Sequence, residues 1–163
     1  MEPPPFPPPI IEQAPAPRWT VAVDPLTVAL GFAHVQIERA IGWRYSLYVG
    51  PSLRLFDGIL PAANGPYIGL GVEAGMRWFP WARAPEGPWV MLRGVGAYLR
   101  TTDGTGHERP GVYTSLLVGG TVIVDRWLVL SGGLGVSFFR YAVDGYGVSG
   151  FIPAAHTAIG VAF

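Results

Sequence analysis

The 163-residue chain contains no cysteine and no lysine. The absence of cysteine excludes a disulfide framework and a thiolate metal site. All 11 cationic side chains are arginines and are matched by 11 acidic residues, which gives a formal net charge of zero. No basic patch therefore points to a nucleic-acid partner or to a polybasic membrane anchor, and we expect neither.

Charged residues of both signs are scarce as well, at 13% of the chain, whereas 50% of the residues are hydrophobic. This charged fraction is about half that of an ordinary soluble domain, so a water-facing surface would be difficult to cover. Long apolar runs are also missing, since none approaches the roughly 20 residues of a membrane-spanning helix. With 23 glycines and 17 prolines disfavouring long helices, a β protein is the natural alternative.

The N-terminal segment is dominated by proline, with eight prolines within residues 1–17. Such density prevents helix or sheet and predicts an extended polyproline-type arm. The arm is interpreted as a solvated tail, with a segment binding a periplasmic partner or a peptidoglycan-spanning spacer as alternatives. No export signal is visible at Met1. Because an outer-membrane protein needs one, we expect the chain to be in near-mature form.

Residues 18–163 divide into eight segments that are bounded by turn residues and have the length of tilted membrane-crossing strands. The predicted strands are 18–31, 33–41, 43–56, 66–79, 88–100, 110–124, 127–141 and 152–163. Connections on one side are mostly short, and those on the other include longer loops at 57–65, 101–109 and 142–151. This alternation is typical of barrels with short periplasmic turns and longer external loops.

The strands alternate between apolar and polar residues. In the fourth, Ile68, Leu70 and Val72 share one face, while Glu73 and Arg77 share the other. A lipocalin-like soluble barrel would also alternate, but its outer face would carry many charges. Here the polar face is rich in glycine and serine and poor in charge, so it predicts a narrow lumen inside a barrel with an apolar exterior.

Seven charged residues fall on this predicted lumen face, where an inward position avoids a cost of about 2–4 kcal/mol for arginine in lipid. They are Asp24, Glu38, Arg44, Arg54, Glu73, Arg77 and Arg93. With the fourth turn centred near Arg83, Glu73 and Arg93 are expected to be cross-strand partners. The set is interpreted as a structural plug, with a gated ion or proton path as the alternative.

All the tryptophans lie near strand ends or turns that this topology assigns to the periplasmic side. They are Trp19, Trp43, Trp78, Trp81, Trp89 and Trp127. Because tryptophan collects at membrane interfaces, we predict that they form an aromatic girdle. Ordinary core anchors are the alternative interpretation.

The chain ends with Ile159, Val161 and Phe163 at alternate positions. In this ending, and in its eight-strand pattern, it resembles the small outer-membrane β-barrel proteins, such as the transmembrane domain of outer-membrane protein A. The resemblance implies an eight-stranded antiparallel up-and-down transmembrane β-barrel in a bacterial outer membrane, with both termini periplasmic. It also implies contact with outer-membrane lipid and recognition of the terminal residues by the barrel-assembly machinery.

Catalytic and metal-binding groups are sparse. Ser137 and His156 are the obvious pair, on adjacent strands and both facing inward, but no serine motif accompanies them. His34 and Glu38 share a face, yet about 13 Å along a strand separates them, which is too far for one metal ion. His107 and Glu108 fall in a loop. We predict no catalytic residues, no cofactor and no metal.

These observations favour a non-enzymatic envelope barrel with a narrow, side-chain-filled polar lumen and a structural or anchoring role. The alternatives are binding or adhesion through the longer loops, a lipid A-modifying enzyme, and a narrow channel. A wide porin is disfavoured because the interior of an eight-stranded barrel is filled by side chains.

Overall fold

The computed structural model describes residues 16–59 and 64–163. Eight antiparallel strands form a closed barrel in which each strand pairs with its neighbours along the chain and β8 pairs with β1. The elements are β1 Trp19–Val23, α1 Pro25–Ala29, β2 Phe32–Ala40, β3 Tyr45–Arg54, β4 Tyr67–Trp78, β5 Gly87–Thr101, β6 Glu108–Val124, β7 Leu128–Val143 and β8 Tyr146–Ala162. The predicted eight-stranded up-and-down barrel is confirmed as a fold. Among the described residues, no helix is both long and apolar enough to cross a bilayer.

The predicted alternation is present along the strands, with the polar face inside. In β4, Leu70, Val72 and Met76 are exposed on the outer surface, whereas Glu73 and Arg77 are buried. β3 and β7 repeat the pattern. The barrel is thus apolar outside and polar inside, the reverse of a soluble protein.

The start of β1 and the end of β8 meet at one end of the barrel. The amide of Trp19 donates to the carbonyl of Phe163 over 3.0 Å, and the amide of Phe163 donates back to Trp19 over 3.0 Å. Residues 16–18 lead into β1, but most of the predicted proline-rich arm, residues 1–15, lies outside the described part of the chain.

The prediction of one long first strand over 18–31 was wrong. β1 ends at Val23, and Asp24 begins the short helix α1 by accepting hydrogen bonds from the amides of Leu26 and Thr27 at 3.1 and 3.2 Å. Aspartate followed by proline is a helix-start signal, because proline fits the first helical position and has no amide proton to satisfy. In this case, that local signal overrides the apolar pattern.

This early end of β1 leaves a gap in the barrel wall. β1 pairs with β8 only from Thr20↔Ala162 to Val23↔Ile159, although β8 begins at Tyr146. Helix α1 contacts both β2 and β8 and occupies part of the gap. The barrel is closed by the pairing of β1 with the end of β8, and α1 lies between β2 and β8 where this pairing stops.

The third predicted external loop, 142–151, is not a loop. β7 and β8 continue to a two-residue turn at Asp144 and Gly145, which have φ angles of 50° and 83°. Aspartate followed by glycine is the residue pair that favours a tight type I′ hairpin, whose central residues both have positive φ. The second long connection is shortened to 102–107 by extension of β5 and β6.

The register between β4 and β5 differs by two residues from the one expected. Glu73 lies opposite Val95, and Arg93 lies opposite Gly75. Both charges still face inward, because a two-residue offset preserves the alternation. The predicted cross-strand pair of Glu73 with Arg93 is therefore wrong in register.

Candidate functional site: the polar interior of the barrel

The interior holds six of the seven charged residues assigned to it. Asp24, Glu38, Arg54, Glu73, Arg77 and Arg93 are all buried. Arg44 is the exception, since it lies exposed in the turn between β2 and β3. Its position in the alternation is inward, but the strand begins one residue later, at Tyr45. The interior therefore contains three acidic and three arginine side chains from this set.

Arg77 is the centre of one group of contacts. Its guanidinium forms an ion pair with Glu38 and donates to the side-chain oxygen of Gln36 over 3.3 Å. Its Nη2 atom also lies 2.9 Å from Nε2 of His156. The ring of Trp89 faces the guanidinium at 5.1 Å, a cation–π distance. Arg77 thus joins β4 to side chains of β2, β5 and β8.

Asp24 links the start of α1 to β8. Thr157 donates its hydroxyl to Asp24 Oδ1 over 2.6 Å, and Nδ1 of His156 lies 3.2 Å from Asp24 Oδ2. The same carboxylate caps α1. One buried aspartate therefore fixes both the helix and its position against β8.

His34 and Glu73 form a third group. Nδ1 of His34 lies 2.8 Å from Glu73 Oε2, and its Nε2 lies 3.5 Å from the hydroxyl of Ser52. The contact connects β2 with β4 across β3. Glu73 is thereby paired with a histidine, and the arginine predicted as its partner has other contacts.

Arg93 has a different environment from the other buried arginines. Its Nε and Nη2 donate to the Ser115 hydroxyl over 3.4 and 3.3 Å, and Ser115 shares a 2.6 Å hydrogen bond with Ser137. Within the described residues, Nη1 of Arg93 has no hydrogen-bond partner, and no carboxylate is within ion-pairing distance of this side chain.

Apolar clusters fill the two ends of the interior. The cluster near the termini includes Tyr48, Phe79, Trp89, Met91 and Leu117. The cluster near the longer loops includes Tyr67, Leu99, Tyr113, Tyr141 and Val143. Glycines make room for the large rings: a Cβ on Gly119 would lie 2.6 Å from the Trp89 ring, and one on Gly75 would lie 2.6 Å from Cζ of Tyr48. The lumen is narrow and packed.

Five tryptophans are exposed at the end of the barrel that carries the termini. They are Trp19, Trp43, Trp78, Trp81 and Trp127. Trp89 is the exception, because it is buried inside and donates its indole N–H to Thr121 over 3.0 Å. Its assignment to the girdle was wrong, whereas the alternative of a core anchor holds for this residue. Ile159, Val161 and Phe163, the residues expected to be recognised by the barrel-assembly machinery, are exposed.

The structure does not bring the candidate catalytic residues together. The Ser137 hydroxyl is hydrogen-bonded to Ser115, whereas the His156 ring contacts Asp24 and Arg77. In the β7–β8 register, His156 lies opposite Gly133 and Ser137 opposite Ile152. His107, in the second loop, lies 3.0 Å from Asp144. In the part of the chain that the structure describes, no group of three or more potential ligands could hold a metal ion.

Several members of the interior network were not predicted as site residues, although the alternation of the strands identifies them. His34 and Gln36 share the inward face of β2 with Glu38, and Ser115 faces inward on β6. The same rule would have placed Trp89 inside, since it has the parity of Arg93 on β5. The contacts of Asp24 with Thr157 could not be predicted without knowing that Asp24 caps α1.

Comparison of the chain with protein-family models, with curated proteins and with solved structures found no match. Its function is therefore inferred from the geometry of the barrel.

Proposed function

We propose that this chain is a non-enzymatic integral β-barrel of a bacterial outer membrane, with a structural or anchoring role in the cell envelope. The observation that supports this most directly is the distribution of side chains, which is apolar on the outer surface and charged in the interior. Aliphatic side chains such as Leu70, Val118 and Leu134 are 55%, 60% and 68% exposed on the outer wall, while acidic and arginine side chains are buried inside.

Water is a poor solvent for such an exterior. Monomeric soluble proteins rarely expose a contiguous apolar surface larger than a few hundred Å², and here it surrounds the barrel. Hydrocarbon would remove this cost, and the paired strands satisfy their backbone groups internally, as a lipid environment requires, with α1 beside the part of β8 that has no β1 partner. The exposed tryptophans at one end fit the interfacial girdle of such a barrel.

The packed interior favours a structural role over a conducting one. Arg77 forms an ion pair with Glu38, aromatic clusters occupy both ends, and side chains fill most of the interior of an eight-stranded barrel. Adhesion through the external loops is less favoured, because the third predicted loop is a tight hairpin turn at Asp144 and Gly145.

The proposal includes an orientation and partners. The end with the exposed tryptophans and both chain ends would face the periplasm, so that residues 1–17 could reach a periplasmic partner. Outer-membrane lipid would surround the wall. The barrel-assembly machinery would recognise the β8 end, where Ile159, Val161 and Phe163 are exposed on the outer surface.

The test is refolding of the urea-denatured chain in the presence of phospholipid vesicles. We expect the protein to float with the vesicles, to resist extraction at alkaline pH, and to migrate faster on a gel when it is not heated. In planar bilayers it should give no stable large conductance. A folded monomer that stays in water without detergent or lipid would refute the proposal, and a large steady conductance would refute the closed lumen.

A further inference from the structure

The gap in the barrel wall contains a cavity. Its volume is about 210 Å³, and it lies between α1, β2 and the upper part of β8. Residues from both faces of β8 line it: by alternation, Ile152 points inward and Pro153 outward. The cavity therefore extends around the free edge of β8, from the interior towards the outer apolar surface.

Pro153 is consistent with a free edge at this point. Proline cannot donate to a strand ladder and is found in sheets at edges that lack a partner. The residues of β8 that precede Ile159 have no β1 partner, because α1 replaces the strand. The strand pairing of the wall is thus interrupted above Val23, where β1 ends, and α1 lies beside the opening.

The walls of the cavity are mainly apolar. Leu26 contributes from α1, Leu30 from the end of that helix, Phe139 from β7, and Ile152 and Pro153 from β8. A polar group stands at the inner end, where Arg93, Ser137 and His34 also line the cavity. An apolar passage that ends at a cation is suited to an amphiphile.

Arg93 is the cation that lines the cavity, and it would favour a ligand with an anionic group. It is 4% exposed, and among the described residues only the Ser115 hydroxyl accepts hydrogen bonds from its guanidinium, leaving Nη1 without a partner. The Tyr113 ring, 5.5 Å from the guanidinium, offsets part of the cost of this buried cation. In the described part of the chain no carboxylate is within ion-pairing distance, and an oxyanion would satisfy the remaining donor through a charge-assisted hydrogen bond.

The depth of the cavity agrees with a ligand from the membrane. Ser137 is nine residues beyond Leu128, the first residue of β7, which is about 30 Å along a strand. With the usual tilt of such barrels, this corresponds to about 23 Å in height, near the outer limit of an apolar band about 25 Å tall. Arg93 is six residues beyond Gly87, the first residue of β5, which is about 20 Å along the strand. It therefore lies deeper in the band than Ser137, where an anionic head would be shielded from water while its chain leaves outward past α1.

We propose that this cavity binds a single-chain amphiphile with an anionic head, whose carboxylate or phosphate contacts Arg93 and whose hydrocarbon chain leaves between α1 and β8. The proposal goes beyond the structural role inferred above. It needs the folded barrel but not a particular cellular membrane, so its success or failure is separable from that of the vesicle test.

Native mass spectrometry of the full chain in a non-ionic detergent tests the proposal. Palmitate and hexadecyl phosphate are the anionic probes, and hexadecanol is the neutral probe of equal chain length. We expect one bound palmitate or hexadecyl phosphate per barrel and about tenfold weaker binding of hexadecanol, because a neutral head group cannot form an ion pair with Arg93. The tighter of the two anionic probes identifies the preferred head.

Two variants test the site itself. Arg93→Gln should weaken binding of the anionic probe about tenfold or more while leaving that of hexadecanol nearly unchanged. Ile152→Trp should weaken binding of both probes by filling the passage, and it keeps Arg93 in place if Arg93→Gln fails to fold. The matched control is Arg140→Gln, which removes the same charge from an exposed position on β7.

Equal binding of hexadecanol and palmitate would overturn the proposal, since it would indicate partition into the micelle. The same conclusion follows if the heat-modifiable Ile152→Trp protein binds palmitate as the unmodified chain does. Absence of any one-to-one complex with either anionic probe would also refute it, and α1 would then be only a structural cover of the gap.

Discussion

Nδ1 of His34 lies 2.8 Å from Oε2 of Glu73, and both side chains are buried. His34 belongs to β2 and Glu73 to β4, so this contact passes over β3, which lies between them in the sheet. Backbone hydrogen bonds join only adjacent strands. The interior side chains therefore add a second set of connections, across the lumen, to the ladder of the wall.

The His34–Glu73 contact should contribute to stability. We expect Glu73→Ala to lower the free energy of unfolding by about 1–3 kcal/mol, because it leaves a buried polar group without its partner. Urea titration of the vesicle-inserted protein, followed by the heat-modifiable band, measures the change. Glu108→Ala is the control and should have little effect, because its hydrogen bond from Tyr98 and its 3.7 Å contact with Arg100 are both exposed to solvent. An equal loss in both variants would contradict the role assigned to Glu73.

Arg77 and Glu38 should be coupled. Removing one partner of a buried ion pair costs about 3–5 kcal/mol, whereas replacing both by apolar residues is often close to neutral. Arg77→Leu should thus be strongly destabilising, and the double variant Arg77→Leu, Glu38→Leu should recover part of the loss. The same urea titration, arranged as a double-mutant cycle, gives the interaction energy. Additive effects would indicate that the two side chains do not act as a pair.

Tyr48 should need a glycine at position 75, because its side chain occupies the place that a Cβ would take there. The three atoms nearest to a Cβ at position 75 would all belong to Tyr48, so Gly75→Ala should destabilise the barrel by about 1–3 kcal/mol through overpacking. Tyr48→Leu in the same chain should relieve the clash. Gly94→Ala is the control, since a Cβ there would have no neighbour within 4 Å. Similar stability of the two alanine variants would refute this account.

The outer wall should show a depth-dependent response to charge if it faces lipid. Val118 and Val124 are both exposed on β6, Val118 midway along the strand and Val124 at its end. Val118→Arg should reduce the free energy of insertion by about 2–4 kcal/mol, and Val124→Arg by at most about 1 kcal/mol. Refolding yield into vesicles as a function of urea is the measurement. No difference between the variants would argue against a membrane around the wall.

The contacts of Asp57 with Arg54 and Gly65 should loosen in acid. The Gly65 amide and the Arg54 guanidinium donate to Asp57 over 3.1 and 2.8 Å, and these hydrogen bonds lower the pKa of Asp57. The folded-state pKa is below the unfolded value, which is about 3.9. The contribution of Asp57 is therefore fully present above the unfolded value and is lost as the pH falls through the lowered one. The protection of the Gly65 amide against hydrogen exchange should fall over this pH range. Asp57→Asn should remove this dependence of protection on pH.

The sequence was sufficient to predict the barrel because its strongest signal is period-two alternation. Strands such as β4 and β7 are buried on one face only, so each inward residue follows from its parity. Parity predicts an inward face for six charged residues that the structure buries, namely Asp24, Glu38, Arg54, Glu73, Arg77 and Arg93.

Local backbone chemistry limited the prediction elsewhere. Asp24 and Pro25 begin a helix within an apolar segment, and Asp144 with Gly145 closes a hairpin where a loop was expected. Both pairs are recognisable signals that the length-based division into strands did not use. The ion pairs could not be predicted, because a two-residue change in register gives Glu73 a different partner without changing its face.

The end of β1 at Val23 has a mechanical consequence. Only four register pairs hold β1 to β8, whereas β7 and β8 are paired from Leu128↔Val161 to Val143↔Tyr146. The joint that turns the sheet into a ring is therefore its shortest, and it unites strands from opposite ends of the sequence. Such a distant pairing carries the largest loop-closure entropy. Under tension or during assembly, the ring should open first and close last at this joint.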